Sequence, residues 1–323
     1  MNILPATDNR CRDKAILLSL YQNFKKSKRM GHKSGFVNII GNPNVGKSTL
    51  MNAMVGEKLS IITSKMQTTR HRIKGIVNGE DFQIIYSDTP GILKPNYKLQ
   101  ESMMKFVSTA LVDADIILYV TDVVEDFEKN KEYIEKISET DVPVLVLVNK
   151  IDLSNQEQVV EKMERWRELL PKAEVIPMSA TENFNTDVIF DRILQLLPEG
   201  PPFFPKDELT DRNERFFTQE IIREKILLNY QKEVPYSVEI EVESFKDEEK
   251  ILRIDAVIYV ARDSQKGIII GHQGKALKKV GTEARKDMEE FFGKKVFLQL
   301  YVKVAKEWRD KENMLRNFGY EFQ

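Results

Sequence analysis

The sequence contains a single cysteine, no long apolar run and almost no net charge. Cys11 has no partner for a disulfide within the chain, which fits a reducing compartment. No apolar stretch approaches the roughly 20 residues that a membrane-spanning helix needs. The formal net charge is −1, so any affinity for nucleic acid must come from a local basic patch. The chain has 323 residues, of which 41% are hydrophobic and 31% are charged. This length and composition are typical of a soluble globular protein with two domains.

Residues 1–32 differ in composition from the rest of the chain, and we expect them to form a flexible extension. The apolar stretch at 15–20 is only six residues long and lacks a small-residue cleavage site, which argues against a secretory signal. The basic cluster at 25–29 is typical of a solvated segment, although it could also contact RNA or an anionic lipid surface. Met30 lies close to the first predicted strand, so the segment before it could also reflect an upstream start codon.

A glycine-rich motif at residues 41–49 organises the first part of the chain. It matches G-x-x-x-x-G-K-[ST] and lies between an apolar, strand-like run at 36–40 and a helix-like pattern at 48–55. In that context the N–H groups of the loop and of the helix start bind phosphate, Lys47 contacts the β- and γ-phosphates, and Ser48 ligates Mg²⁺. The residues that we expect at the nucleotide are Gly41, Asn42, Asn44, Val45, Gly46, Lys47, Ser48 and Thr49.

A second motif, D-T-P-G at residues 88–91, follows two predicted strands at 73–77 and 83–86 that form a hairpin. Asp88 would hold Mg²⁺ directly or through water, and the Gly91 N–H is placed to sense a γ-phosphate. The motif residues expected at the nucleotide are Asp88, Thr89, Pro90 and Gly91.

The polar segment at residues 64–70 lies between these two motifs, and we expect it to be a mobile loop. A threonine there could close over Mg²⁺ when the γ-phosphate is present, and we favour Thr69 over Thr68. The alternative is an ordinary surface loop, in which threonine is common. The expected catalytic residues are therefore Lys47, Thr69 and Gly91, and the expected metal ligands are Ser48, Thr69 and Asp88.

A third motif, N-K-I-D at residues 149–152, follows a continuous apolar run at 144–148 that predicts a strand covered on both faces. Asp152 can accept hydrogen bonds from the guanine N1–H and 2-amino groups, which adenine lacks in that arrangement. A backbone N–H just after a further strand at 174–177 could contact the guanine O6. The contacts expected at this end of the nucleotide are Asn149, Lys150, Asp152, Ser179 and Ala180. With another core strand at 116–120, this order predicts a GTP-binding α/β domain with a doubly wound, mostly parallel sheet.

Four prolines at residues 198–205 predict an extended, fairly stiff linker between two domains. We therefore expect a GTPase domain at 33–197 and a smaller α+β domain at 206–323. The second domain is predicted as helix (212–230), strand (237–245), strand (251–260), helix, G-x-x-G loop, helix (276–292) and strand (295–304). In the first of these strands we expect one set of alternating residues to face the core (Val238, Ile240, Val242) and the other to face solvent (Glu239, Glu241, Glu243).

The G-x-x-G loop at residues 271–274 lies between two predicted helices, and this order of elements resembles a KH domain of the bacterial topology, or type II. In KH domains such a loop clamps the backbone of about four nucleotides of single-stranded RNA. Residues 262–303 carry ten Lys and Arg against five Asp and Glu, which supports a basic RNA-binding face. The alternatives are a helix-capping turn and a solvated helix face. The expected RNA contacts are Gly271, His272, Gln273, Gly274, Lys275, Lys278 and Lys279.

The order of the nucleotide-binding motifs resembles the translation-factor-related GTPases, and the pair of motifs at 67–70 (Q-T-T-R) and 88–91 resembles the Era family. The stretches P-Y-S-V at 235–238 and K-E-W-R at 306–309 are also similar to that family. Ile92 stands where Ras-like enzymes have the glutamine that orients the attacking water, so hydrolysis is expected to be slow or to be helped by a group supplied elsewhere.

The resemblance implies a GTPase that uses GTP, GDP and Mg²⁺ and binds the 3′ region of small-subunit (16S) ribosomal RNA. It also implies a role in assembly of the 30S ribosomal subunit and a cytoplasmic protein that associates peripherally with the inner membrane; we expect a monomer. Two alternatives remain open. One is a GTPase acting in tRNA modification, although its partner cysteine is missing from this C-terminus. The other is an RNA-binding module with an inactive G domain, against which the intact Lys47, Asp88 and Asp152 argue.

Overall fold

The computed structural model describes residues 31–125 and 131–320. The extension expected at residues 1–32 therefore lies outside the described residues, except for its last two positions. Within the described ranges, no helix has both the length and the apolar character needed to cross a bilayer.

A six-stranded sheet forms the centre of the first domain. Its strands are β1 (Lys33–Gly41), β2 (Ile73–Asn78), β3 (Phe82–Asp88), β4 (Ile116–Asp122), β5 (Val144–Asn149) and β6 (Glu174–Pro177). The spatial order is β2-β3-β1-β4-β5-β6, and all neighbours are parallel except the hairpin of β2 and β3. The predicted doubly wound, mostly parallel α/β sheet is confirmed.

Helices cover both faces of this sheet because its central strands are apolar on both sides. They are α1 (Lys47–Val55), α2 (Lys98–Val112), α3 (Lys131–Ser138), α4 (Gln156–Leu169) and α5 (Thr186–Leu196). On one face α1 and α5 pack against residues such as Ile39 and Leu147. On the other face α2, α3 and α4 pack against Ile40 and Val148. Adjacent residues of one strand therefore pack into the two apolar cores on opposite faces of the sheet.

Four of the parallel strands end at the same edge of the sheet. β1 ends at Gly41, β3 at Asp88, β4 at Asp122 and β5 at Asn149, and the register pairs Asp122 with Asn149. Because ligands of open α/β sheets bind at the carboxyl ends of the strands, the fold gathers the three predicted motifs at one edge.

The connection between the two domains follows strands β1 and β2. Residues 198–213 contain neither helix nor strand, and they form hydrogen bonds from Ser34 N to Pro198 O (3.1 Å) and from Ile76 N to Leu209 O (2.8 Å). The next helix, α6, spans Glu214–Asn229, so the predicted start at residue 212 was two residues early. Asn213 caps this helix by accepting a hydrogen bond from Phe216 N at 3.0 Å.

The second domain packs three helices on one face of a three-stranded sheet. After α6 its elements are β7 (Val238–Asp247), β8 (Ile251–Val260), α7 (Asp263–Ile270), α8 (Lys275–Phe292) and β9 (Lys295–Val304). β7 pairs antiparallel with β8, and β8 pairs parallel with β9. Buried residues of the helices, such as Ile226, Ile269 and Val280, contact the sheet through Ile240 and Ile254. The predicted order of elements for a bacterial-type KH domain is confirmed.

The prediction that Glu239 faces solvent is wrong. Its side chain is buried (6% exposed), and its Oε2 accepts hydrogen bonds from Arg70 Nη1 (3.2 Å) and from the Tyr320 hydroxyl (2.8 Å). Strand alternation assigns residues to two faces, but it does not reveal that the first domain and the C-terminal residues cover one of them at this end of β7.

The segment after β9 returns to the first domain and ends in a short helix, α9 (Glu312–Asn317). Trp308 and Leu315 are fully buried in the same apolar cluster as Leu99 of α2. The Trp308 indole donates to Ser237 O at 3.0 Å. This segment therefore joins the KH domain to the face of the G domain that carries α2.

Candidate functional site

The glycine-rich loop holds Lys47 before any phosphate is bound. The buried Nζ of Lys47 donates to Gly41 O (3.0 Å) and Asn42 O (2.7 Å), two carbonyls of the loop itself. Burial lowers the pKa of Lys47 to about 8, although the negative charges of Asp88 and Glu125 oppose this shift. A phosphate beside this ammonium would stabilise its charged form, and the N-terminus of α1 adds a partial positive charge at the same place.

A cavity of about 330 Å³ lies between this loop and the segment that follows α1. It is lined by residues of the predicted nucleotide site and its surroundings, namely Pro43, Asn44, Gly46, Lys47, Ser48, Thr49, Ile61, Ile62, Thr63, Ser64, Gln67, Thr68, Thr69, Gly91 and Lys150. All three predicted catalytic residues thus line one cavity.

Three oxygen-bearing side chains meet at the end of β3. The Asp88 Oδ2 accepts hydrogen bonds from the Ser48 hydroxyl at 2.6 Å and from the Thr69 hydroxyl at 3.1 Å, and the two hydroxyls are 3.0 Å apart. The other carboxylate oxygen, Oδ1, is buried and has no hydrogen-bond partner within the described residues. Burial raises the pKa of Asp88, while the charge of Lys47 and the hydroxyl groups oppose the shift.

This cluster has the chemistry that a hard divalent cation requires. Mg²⁺ prefers oxygen ligands, uses few protein groups and completes its shell with water and nucleotide phosphates. The unpaired Oδ1 of Asp88 and the hydroxyls of Ser48 and Thr69 fit that role. Within the described ranges there is no group of three or more His, Cys, Asp or Glu residues that could hold a metal ion.

The structure places the two threonines of the 64–70 segment differently. The Thr68 hydroxyl donates to Lys65 O at 2.6 Å and lies 2.7 Å from the Thr63 hydroxyl, whereas the Thr69 hydroxyl contacts Asp88. Thr69 and its neighbour Arg70 are buried, so this end of the segment differs from the ordinary surface loop that its composition suggested.

The D-T-P-G loop packs closely against the phosphate loop. Thr89 donates through its hydroxyl to Ile39 O (2.7 Å), and Ile92 N donates to Gly41 O (3.1 Å). A Cβ added to Gly91 would lie 2.6 Å from the backbone N of Pro43. Pro90 is buried here. The Ile92 side chain is also buried and belongs to the apolar core between the sheet and α2, so it offers nothing to orient a water molecule.

The N-K-I-D motif connects three loops beside the cavity, whose lining includes its Lys150 but not Asn149 or Asp152. Asn149 donates to Val45 O at 2.8 Å and accepts from Ala180 N at 3.0 Å, while the Ser179 hydroxyl donates to Asp152 Oδ1 at 2.6 Å. The Ala180 amide, expected at the guanine O6, is bonded to Asn149 in this structure. Asp152 is exposed, which leaves its second oxygen open to a base.

Asp122, at the end of β4, belongs to none of the predicted motifs. Lys150 Nζ donates to Asp122 Oδ2 at 2.7 Å and to Asn44 O at 2.6 Å, so this lysine joins the phosphate loop to β4. Asp122 Oδ1 in turn accepts from Val124 N at 3.0 Å. Its position could have identified it, because it is an acidic residue at the carboxyl end of a parallel strand, next to the strands that carry the motifs.

A second candidate site lies at the G-x-x-G loop. α7 ends at Ile270, residues His272–Gly274 form a single 3₁₀ turn, and α8 begins at Lys275. Among the described residues, apart from the immediate chain neighbours, no atom lies within 4 Å of a Cβ added to Gly274, so a ligand can approach the backbone there. The exposed side chains at this end of α8 are His272, Gln273, Lys275, Lys278 and Lys279. The helix N-terminus and three lysines make this a surface suited to phosphate groups.

Both parts of the chain match known protein families. Residues 36–150 match the family described as 50S ribosome-binding GTPase, and residues 233–309 match the KH domain family. The GTPase Era of Staphylococcus haemolyticus is 45% identical over 90% of this chain and 97% of its own length. That of Staphylococcus epidermidis is 44% identical with the same coverage.

Two solved structures of Era are similar to the whole described fold. One is Era in complex with MgGDPNP and nucleotides 1506–1542 of 16S ribosomal RNA, which is 38% identical with a TM-score of 0.86 and covers 90% of this chain and 100% of its own. The other is a variant of Aquifex aeolicus Era bound to GDP and AlF4⁻, which is 39% identical with the same TM-score and coverage.

Proposed function

The chain belongs to the Era family of GTPases, and from this membership we propose that it binds GTP and GDP with Mg²⁺, hydrolyses GTP slowly, and binds small-subunit ribosomal RNA. In this proposal it assists assembly of the 30S subunit. The G domain comprises residues 33–197, the linker 198–205 and the KH domain 206–323.

The observation that carries the nucleotide part is the meeting of the Ser48, Thr69 and Asp88 side chains beside Lys47. Lys47 would hold the β- and γ-phosphates, and the three oxygen-bearing side chains would hold Mg²⁺, which would supply positive charge beside the phosphates. Gly91 senses the γ-phosphate from the opposite side. Hydrolysis is slow because the Ile92 side chain is buried in the core, where it orients no water.

Base selectivity rests on the N-K-I-D motif, beside the cavity. Asp152 accepts from guanine N1–H and the 2-amino group, while Asn149 and Ser179 fix the surrounding loops through the hydrogen bonds described above. An adenine base would leave the carboxylate facing an acceptor at N1, which costs free energy.

RNA binding is assigned to the exposed G-x-x-G loop, residues 271–274. In support, the solved Era complex contains a fragment of 16S ribosomal RNA, and this chain matches the KH domain family over residues 233–309. We propose the 3′ region of 16S ribosomal RNA as the ligand. Lys275, Lys278 and Lys279 neutralise phosphates of the strand that the loop clamps.

The test of the RNA assignment is a double variant that adds two negative charges to the loop, His272→Asp with Gln273→Asp. Both residues are exposed and both glycines remain, so the fold should survive. Affinity for a single-stranded fragment of the 16S 3′ end should fall strongly. The log–log dependence of affinity on salt should become shallower by roughly 0.7 for each phosphate that the protein no longer neutralises.

The matched control adds the same two charges to exposed positions of α9, Asn313→Asp with Asn317→Asp. It should leave the affinity and the salt dependence unchanged. Equal RNA binding by the loop variant and the parent across the salt titration would show that the G-x-x-G loop is not the RNA site.

Two alternatives are separated by simple measurements. An RNA-binding module with an inactive G domain would show no rise in melting temperature on addition of GTP and Mg²⁺. A GTPase acting in tRNA modification would prefer tRNA to the 16S fragment in competition. We further propose, from the family membership alone, a cytoplasmic monomer that contacts the inner membrane peripherally.

A further inference from the structure

The segment that carries Thr69 is held in place by the KH domain. Arg223 of α6 donates through Nη1 to Thr68 O, the carbonyl that directly precedes Thr69. Arg70, the residue that directly follows Thr69, donates through Nη1 to Val238 O (2.6 Å) and through Nη2 to Pro235 O (3.2 Å). The residues on both sides of Thr69 are therefore anchored to the second domain.

Both arginines are deeply buried, so their positions are fixed by their partners. Arg70 is 1% exposed and Arg223 is 2% exposed. Arg223 Nε donates to Glu220 of the same helix at 3.0 Å, and Arg70 pairs with Glu239 of β7 at 3.2 Å. Because a buried charge is costly when its partner is removed, each guanidinium must stay with its carboxylate, and both carboxylates belong to the KH domain.

The same segment is also attached at its other end. Lys65 Nζ donates to Leu227 O and Tyr230 O, the carbonyls at the C-terminus of α6. A cation is favourable there because the last carbonyls of a helix lack partners and carry the negative end of its dipole. α6 and the turn before β7 thus hold residues 65–70 along their length.

We propose that Arg223 is a positioning residue for the GTPase reaction and that the KH domain, through Arg223 and Glu239, holds the Thr69 hydroxyl at the metal site. The inference rests on the proposed function, specifically on the role of Thr69 as a ligand of Mg²⁺. It assigns part of the nucleotide site to the RNA-binding domain, whose residues lie outside every nucleotide-binding motif of the sequence.

A positioning role of this kind distinguishes the two nucleotides. Thr69 would contact the metal when a γ-phosphate is also bound, whereas a bound diphosphate would rely on the glycine-rich loop and on Ser48. Loosening the segment should therefore weaken the binding of triphosphate and raise the Mg²⁺ concentration that it requires. It should leave GDP binding nearly unchanged.

The experiment uses the full-length chain with Arg223→Lys. A lysine keeps the charge beside Glu220, but it is a single point donor and cannot reach both Glu220 and Thr68 O as the guanidinium fork does. We expect the affinity for a non-hydrolysable GTP analogue to fall roughly tenfold, as when one charge-assisted hydrogen bond is removed. GDP affinity should change less than about twofold, and the Mg²⁺ titration of analogue binding should shift to higher concentration.

The matched control is Lys98→Ala, which removes a different interaction between the same two domains, the 2.7 Å ion pair with Glu312. It should leave both affinities and the Mg²⁺ titration unchanged. A second variant, Glu239→Gln, keeps the volume of the side chain and is used if Arg223→Lys does not fold. It should also lower the affinity for the GTP analogue more than the affinity for GDP.

Equal losses of affinity for the analogue and GDP, or no change in either, in folded variants would overturn the positioning role. If the proposed function itself were wrong, the parent protein would show no Mg²⁺-dependent preference for guanine nucleotides at all. Melting temperatures of the parent and the variants show whether each protein is folded, so that only folded proteins are compared.

Discussion

Replacing Asp152 by asparagine is expected to weaken the binding of GTP and to improve the binding of xanthosine triphosphate. The carboxylate has one oxygen bonded to the Ser179 hydroxyl at 2.6 Å, which leaves its other lone pairs for the two donors on guanine. Asparagine offers an amide N–H₂ that repels those donors but can donate to the 2-oxo group of xanthine.

The size of the effect follows from the exposure of Asp152. A hydrogen bond to a charged group contributes about 1.5–3 kcal/mol, and the lower value applies because the free carboxylate is hydrated. Two such bonds give about 3 kcal/mol, which corresponds to a loss of roughly 100-fold in GTP affinity. The glycine-rich loop still holds the phosphates, so binding should weaken without being abolished.

Competition between GTP and xanthosine triphosphate at equilibrium measures this change in selectivity. The matched control is Asp187→Asn, an identical change at an exposed position near the start of α5, which should alter neither affinity. If Asp152→Asn binds GTP as tightly as the parent, the assignment of the guanine contact to Asp152 is incorrect.

Three further predictions test the neighbouring residues. Gly91→Ala places a Cβ 2.6 Å from Pro43 N and should slow GTP turnover by about 100-fold while GDP still binds; unchanged phosphate release would refute the close packing. Ile92→Val should cost about 0.5–1.5 kcal/mol in denaturant unfolding with kcat retained, whereas a large fall in kcat would reveal a catalytic role. Burial, then the charges of nearby arginines, holds the pKa of His71 well below its usual value, so stability should fall as pH drops below about 6.5, by up to 1.4 kcal/mol per pH unit. His71→Phe, which can still stack on Tyr320, should flatten the melting-temperature profile between pH 5 and 7; an equally steep profile would contradict this.

The nucleotide site was largely predictable because its residues are set by local spacing on a regular scaffold. Each motif directly follows an apolar strand, and parallel strands of an open sheet bring their carboxyl ends to one edge. The positions of Lys47, Asp88 and Asn149 follow from that rule alone. Thr69 could be preferred over Thr68, but the reason for its position, its hydrogen bond to Asp88, depends on the path of the whole segment.

The contacts between the domains could not be predicted from local patterns. Arg70 lies in a polar stretch and Glu239 in an alternating strand, and both patterns are typical of solvated surfaces. Their burial depends on a partner about 170 residues away in the chain, so neither pattern alone contains the information. The C-terminal Trp308 is similar, because an apolar residue at the end of a chain does not indicate which core it enters.

The buried charges where the two domains meet nevertheless occur as a pair, Arg70 with Glu239. A buried cation and a buried anion are each unfavourable alone. Arg70, which follows the predicted metal ligand Thr69, and Glu239, near the start of β7, are therefore stable in their buried positions because they meet. Tyr320 adds a donor to the same carboxylate at 2.8 Å, which leaves Glu239 paired on both sides. A change in domain orientation that separated Arg70 from Glu239 would break this buried ion pair, and for that reason the orientation of the KH domain and the position of Thr69 are expected to change together.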